Sequence, residues 1–262
     1  MQHRAAIVVA LLSFLALQAD AAWEGYERMT RESLLLRLKN ASEKTPLDLY
    51  AKNFSDLDLR GIDFRGANVS ASVFNGAQLQ QAKFDHSNLT VAFLERTDLS
   101  GASLQGAIMF SVQLAGSTLR DANLSGARLI GDLRKVDLTN ATLIHVNGAA
   151  DMKNQSMGLM RTNIVNATAH GADFSNSDFS RSDFSFSDFS NAKMVGSLLV
   201  RVDLSGANLT GADLSGADLQ DAQLVDADFS HANLTNANLT GANFRGIRGL
   251  DTANTTGTRG LP

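Results

Sequence analysis

The sequence predicts an all-β solenoid with a square cross-section. Three observations carry this: large apolar residues recur at every fifth position, small residues stand two places before them, and Gly recurs two places after. The large centres run Phe54, Leu59, Phe64, Val69, Phe74, Leu79 and onward at the same step to Leu129. Ala67, Ala77, Ala82, Ala92 and Ala102 take the small position, and Gly61, Gly66, Gly101 and Gly106 the position after. Apolar residues therefore come at alternating gaps of two and three. On an α-helix a five-residue step drifts around the axis and leaves no apolar face. In a flat strand the gap of three turns every second pair to the wrong side. A short extended piece with two inward residues, then a corner that absorbs the odd residue, satisfies both gaps, and Gly suits such a corner. Four pieces close a coil of about twenty residues, and coils stack at about 4.8 Å. About nine or ten coils make a rod about 45 Å long.

Taken in order, the first element is a targeting segment. His3 and Arg4 precede an apolar run from Ile7 to Leu17, followed by small residues with an Ala-x-Ala site at Ala19 and Ala21. Residues 1–21 are expected to be a signal peptide cleaved after Ala21, which makes the protein periplasmic or secreted. The run is about half of what spans a bilayer, so no membrane span is expected after cleavage; an uncleaved anchor is the alternative. Residues 22–49 read as an N-terminal helical cap and linker. Met29, Leu34, Leu35, Leu36 and Leu38 lie among Arg, Glu and Lys from Glu27 to Lys39, a pattern for a short amphipathic helix, and Pro46 closes it. An open solenoid end needs such a cover.

Residues 50–246 form the solenoid, irregular at about 130–160. Leu133 comes four residues after Leu129, and Leu138, Leu143 and Gly148 keep that phase until Leu159 restores the old one. Asn147 to Met160 is therefore expected to be a bulge or loop. Residues 247–262 lose the pattern and read as a loose closing tail.

The runs ANLTGADLSGADLQDAQL (Ala207 to Leu224) and ADFSNSDFSRSDFSFSDFSNAKM (Ala172 to Met194) resemble the A(D/N)LXX signature of the pentapeptide-repeat family. The resemblance covers about three quarters of the chain, more units than chance supplies. It implies a right-handed quadrilateral β-helix. The family also includes DNA-mimicking proteins that act on gyrase. This chain departs from those in its signal sequence, its slight acidity and its lack of an apolar C-terminal helix, so the gyrase role is the alternative reading and needs a cytoplasmic location.

A formal charge of -4, from 23 Lys+Arg against 27 Asp+Glu, gives no footprint for nucleic acid. No cysteine is present, which excludes disulfides, thiolate metal sites and a Cys nucleophile. An interior lined by Leu, Phe and Ala is packed solid and leaves no cofactor site, and a smooth rod offers no concave pocket. His86, His145, His170 and His231 are too far apart for ligand spacing. An enzyme using the 147–160 loop lacks a nucleophile–base pair. The expected role is thus a non-enzymatic module that binds another protein or acts as a spacer.

Surface candidates follow from the twenty-residue turn. Arg161, Arg181 and Arg201 share one corner on three coils, a column suited to anions or an acidic partner, with Asp183 and Asp203 nearby as neutralising charges. Lys193 is expected between Asp173 and Asp213. Phe174, Phe179, Phe184 and Phe189 occupy all four centres of one coil, with Ser177, Ser182 and Ser187 making room. Phe93, Phe110 and Phe186 lie off the centres and should point outward on different faces, as weaker contact candidates.

Overall fold

The structure is a computed structural model that describes residues 23–41, 47–150 and 160–262. One turn, repeated, accounts for most of its backbone. The carbonyl of most centres accepts the N–H three residues on, as Phe64 O does from Ala67 (2.9 Å) and Leu204 O from Ala207 (3.0 Å). The third residue of the turn has positive φ, 66° at both Gly66 and Gly206. That is a type II turn, whose third position favours Gly or Asn. Residues with a Cβ adopt it too, among them His86 and Asn176 at 57° and Arg181 at 65°.

Between corners the chain is extended for a single bridge, parallel to the residue twenty places on: Asn68 to Asn88, Asp98 to Thr118, Lys83 to Ser103. Four outward ladders result. Face 1 carries Asn68, Asn88 and Ile108; face 2 carries Asn53, Val73, Phe93 and Gln113. Face 3 carries Asp188, Asn208 and Asp228, and face 4 carries Asp173, Lys193 and Asp213. The residue before each centre is commonly Asp or Asn, because its Oδ1 accepts the N–H just after the centre, as Asp173 does from Ser175 (3.0 Å) and Asn208 from Thr210 (3.1 Å). Asn also separates carboxylates along a ladder. Nδ2 of Asn208 donates to Asp188 (2.9 Å), and Nδ2 of Asn233 to Asp213 (2.9 Å).

The interior is filled. Phe174, Phe179, Phe184 and Phe189 are fully buried in one coil, neighbouring ring centroids 5.1–5.7 Å apart. Ser177, Ser182 and Ser187 are buried beside them. A buried hydroxyl must be hydrogen-bonded. The Ser187 hydroxyl donates to Ile164 O (2.6 Å) and that of Ser72 to Leu49 O (2.6 Å), each reaching one coil back.

The coil length changes at named places. It shortens to nineteen residues between Thr118 and Asp137, lengthens to thirty-one between Asp137 and Thr168, and returns to twenty from Thr168 to Asp188. The middle of the expected loop, residues 151–159, lies outside the described residues. At Gly148 a centre has no side chain. A Cβ there would overlap the ring of Phe179, which fills the space from the next coil.

Two expectations need correction. The tail is not loose: Asn254 and Arg259 bridge Asn233 and Asn238, so the last coil continues with one extra residue. The backbone ladder carries it after the Leu/Phe signal has faded. The N-terminal helix also begins later than Glu27. Glu27–Arg28 is strand β1, parallel to β2 (Lys52–Asn53), and Met29 N–H donates to Asn53 O (2.8 Å). Helix α1 spans Arg31–Asn40, started by a capping box between Thr30 and Ser33. Met29 and Leu34 join the core, whereas Leu35 and Leu36 are exposed, so α1 is less amphipathic than expected. Strands β3 (Ile108–Gln113) and β4 (Arg128–Asp132) complete the elements.

Two substitutions test this account. Gly148→Ala is expected to cost about 1–3 kcal/mol through overpacking, and Phe179→Leu in the same chain to restore part of it, read as thermal midpoints. Asn208→Asp sets three carboxylates in line on face 3. A loss of about 1 kcal/mol is expected at neutral pH, and added salt should shrink it by screening the carboxylates from one another.

Candidate functional site

The shortened coil opens a notch in the wall. Phe110 pairs with Ile130 and Val112 with Gly131, so Ser111, held at a φ of 57°, has no counterpart in β4. The corner turn is missing there, and the chain cuts straight across. Gly is required at 131 because a Cβ would overlap the Val112 backbone. On the far side Thr162 donates its hydroxyl to Leu129 O (2.7 Å), and Asn163 N–H donates to Gly131 O (3.0 Å), tying the returning chain to β4. The result is a shallow, open notch of about 290 Å³ on face 2. Ile130 and Met160 contribute apolar lining, and Gln113, Asp132, Arg161 and Asn163 polar lining. The expectation of a rod without a concavity is therefore corrected: removing one residue from one corner is enough to make one.

The polar lining is partly spent on itself. Asp132 is paired with Arg134 (2.6 Å), whose hydrogen bonds hold its carboxyl below the usual carboxylate range. The amide oxygen of Asn163 is buried, with no hydrogen-bond partner among the described residues. Arg161 of the notch is paired with Asp183 (2.9 Å).

Arg161 also begins the Arg column. Arg201 is bonded to Asp221 (3.3 Å), one coil on along the same corner. The expected partner Asp203 instead accepts the N–H of Ser205 (2.9 Å). Arg181, at its positive-φ corner, meets no carboxylate among the described residues. Lys193 lies between Asp173 and Asp213 in the ladder, but no ion pair to either forms among the described residues.

The three outward aromatics are in different situations. Phe186 is 64% exposed at a positive-φ corner, folded over Gly206. Phe110 is half-buried in β3 opposite Ile130, at the notch's edge. Phe93 points outward on face 2 but is covered. Trp23 packs on it with ring centroids 4.6 Å apart, and Tyr26 lies 5.4 Å from Trp23, edge-on. Below Phe93 on the same face, Val73 is fully buried and Asn53 4% exposed. The segment from Trp23 to Arg28 thus runs as a strap along face 2. Its only sequence signal was a single Trp just past the expected cleavage site.

Among the described residues no group of His, Asp and Glu is arranged to hold a metal ion, and no helix is long and apolar enough to cross a membrane. His170 Nδ1 lies 2.9 Å from Ser190 Oγ, a cross-coil contact.

A family model described as pentapeptide repeats matches in eight copies, over residues 53–90, 84–112, 107–147, 159–194, 182–221, 197–236 and 222–246. No curated protein matches the sequence. Among solved structures, the chain is similar to HetL, a pentapeptide repeat protein involved in heterocyst differentiation regulation from the cyanobacterium Nostoc sp. strain PCC 7120. The identity is 25% over 89% of this chain and 99% of that one, with a TM-score of 0.46. A pentapeptide repeat protein from the Arabidopsis thaliana thylakoid lumen is 42% identical over 29% of this chain and 57% of its own, with a TM-score of 0.28. Full-length QnrB1, a plasmid-mediated fluoroquinolone resistance protein, is 14% identical over 76% of this chain and 89% of its own, with a TM-score of 0.34.

The strap has its own reporter, because Trp23 is the only Trp. Phe93→Ala is expected to shift its fluorescence emission to the red and increase its quenching by acrylamide, while the far-ultraviolet circular dichroism of the solenoid stays unchanged.

Proposed function

Because the chain belongs to the pentapeptide-repeat family, we propose that it is a non-enzymatic binding or spacer module of the periplasm or cell exterior. The family's fold is a right-handed quadrilateral β-helix, and the twenty-residue parallel ladder fits that coil. One observation carries the functional reading: among the described residues the interior is filled by buried Leu, Phe and Ala and by hydroxyls such as those of Ser187 and Ser72 that bond the backbone, so the chemistry offered to a partner lies on the outer wall. Long flat faces of regularly spaced polar side chains suit protein docking, as in other solenoids. We read β1 and α1 as the cover of the first coil, on the support of Met29 and Leu34 in the continuous core.

The location rests on the charged start, apolar run and Ala-x-Ala site of residues 1–21. Fractionation combined with in-cell crosslinking tests both parts. The expected outcome is a product that begins at Ala22, found outside the cytoplasm and crosslinked to a second protein. A full-length cytoplasmic product would overturn the location and return the gyrase-directed alternative. A mature product that captures nothing leaves the spacer role.

A further inference from the structure

The strap begins two residues after the expected cleavage site, and it is held from its first described residue. Trp23 lies on Phe93, ring centroids 4.6 Å apart. Its carbonyl accepts the Tyr26 N–H (3.0 Å), which closes a turn, and the Tyr26 ring meets the indole edge-on. The chain then pairs as β1 with β2, Glu27 is bonded to Lys52 (2.9 Å) and Arg37 (2.6 Å), and Met29 enters the core.

Two peptide units join Ala21 to Trp23, so their Cα atoms stand at most about 7 Å apart. Proteases cut exposed, mobile chain, and take a segment rather than a single bond into the cleft. With Trp23 docked, the chain just past the Ala21–Ala22 bond turns back along the wall and leaves no room for that cleft. Reopening it does not require the solenoid to unfold. Met29 and β1 hold the far end of the strap on their own, so release of Trp23 from Phe93 is a local event. Phe93 also comes seventy residues later in the chain, so the strap has nothing to dock on until that coil is in place.

Resting on the signal-sequence part of the proposed function, we propose that the strap is a processing gate: docking of Trp23 on Phe93 closes the Ala21–Ala22 bond to signal peptidase. The chain is cut while the strap is open, before the coil that carries Phe93 has formed, and the strap docks behind the cut. A chain that folds first keeps residues 1–21 and its apolar run. The order of folding and cutting thus selects between a released product and an anchored one.

The test uses the full chain, residues 1–262, folded in detergent with the signal segment attached, and a purified bacterial signal peptidase. Circular dichroism establishes the fold, and acrylamide quenching establishes that Trp23 is docked. A peptide of residues 1–30 is expected to be cut after Ala21. The folded full chain should be cut at least about tenfold more slowly, because only the open form is a substrate. Phe93→Ala, with the solenoid intact, should be cut about tenfold faster than the folded wild type. Leu198→Ala, an exposed wall residue on a coil that the strap does not touch, should match the wild type. The gate is overturned if the folded wild type is cut as fast as the peptide, if Phe93→Ala is cut no faster than the wild type, or if Trp23 is undocked while residues 1–21 remain. In each of these cases a peptide cut after Ala21 leaves the signal reading standing. A peptide that is not cut there removes the signal reading, and the gate with it.

Discussion

Each coil is held to the next by backbone hydrogen bonds at strand spacing, and that contact sets the terms for everything else. A centre such as Leu204 donates its N–H to Gln223 O one coil on (2.8 Å), while Asp228 N–H reaches back to Ala207 O (2.9 Å). Because these bonds, nineteen residues forward and twenty-one back, hold bridge partners twenty apart, each corner must stack on the corner before it. Stacked corners need the same turn, and a type II turn needs a residue that tolerates positive φ. Gly and Asn meet that at least strain; Arg181, Phe186 and His231 adopt it because the ladders on either side leave no other path. The same stacking puts like residues in columns, so carboxylates would line up along a face. Asn208, Asn233 and Asn238 break up such columns and turn a repulsion into a hydrogen bond.

The constraint also explains how a uniform rod acquires a site. A solenoid interior has no room to evolve a pocket without losing core, whereas a corner lies outside the core. Dropping one residue at Ile130–Gly131 removes a turn, leaves Leu129 and Leu133 buried in phase, and exposes a notch in the wall. The insertion that follows restores the register, since Asp137 bridges Thr168 and the coils from Thr168 to Arg248 keep a step of twenty. Among the described residues, the paired irregularities, one short and one long, leave the core a missing side chain at Gly148, which Phe179 replaces.

Much of this was legible residue by residue. The centres, the small inward positions, the corner glycines and the slip at Leu133 are local and periodic, and a period can be read without knowing what touches what. The four-Phe layer and its serines could be read for the same reason. The notch could not be, because a four-residue step reports that a corner is short but not what its two flanks then fail to cover. The tail was misread in the other direction: Asn254 and Arg259 extend the ladder through backbone bonds, which leave no apolar signature.

The strap marks the limit. Nothing in the order Trp23, Glu24, Gly25, Tyr26 states that it will climb face 2 to Phe93, because that contact joins residues seventy apart and depends on which coil ends up beside which. The pairing of Arg201 with Asp221, and the freedom of Arg181 from any carboxylate among the described residues, were decided in the same way, by side-chain reach across stacked coils. By itself the sequence determined the coil, its inside and its outside, since those follow from spacing along one chain. Only the tertiary structure decided which outward residues are already occupied and where the wall is open, since those follow from distances between coils.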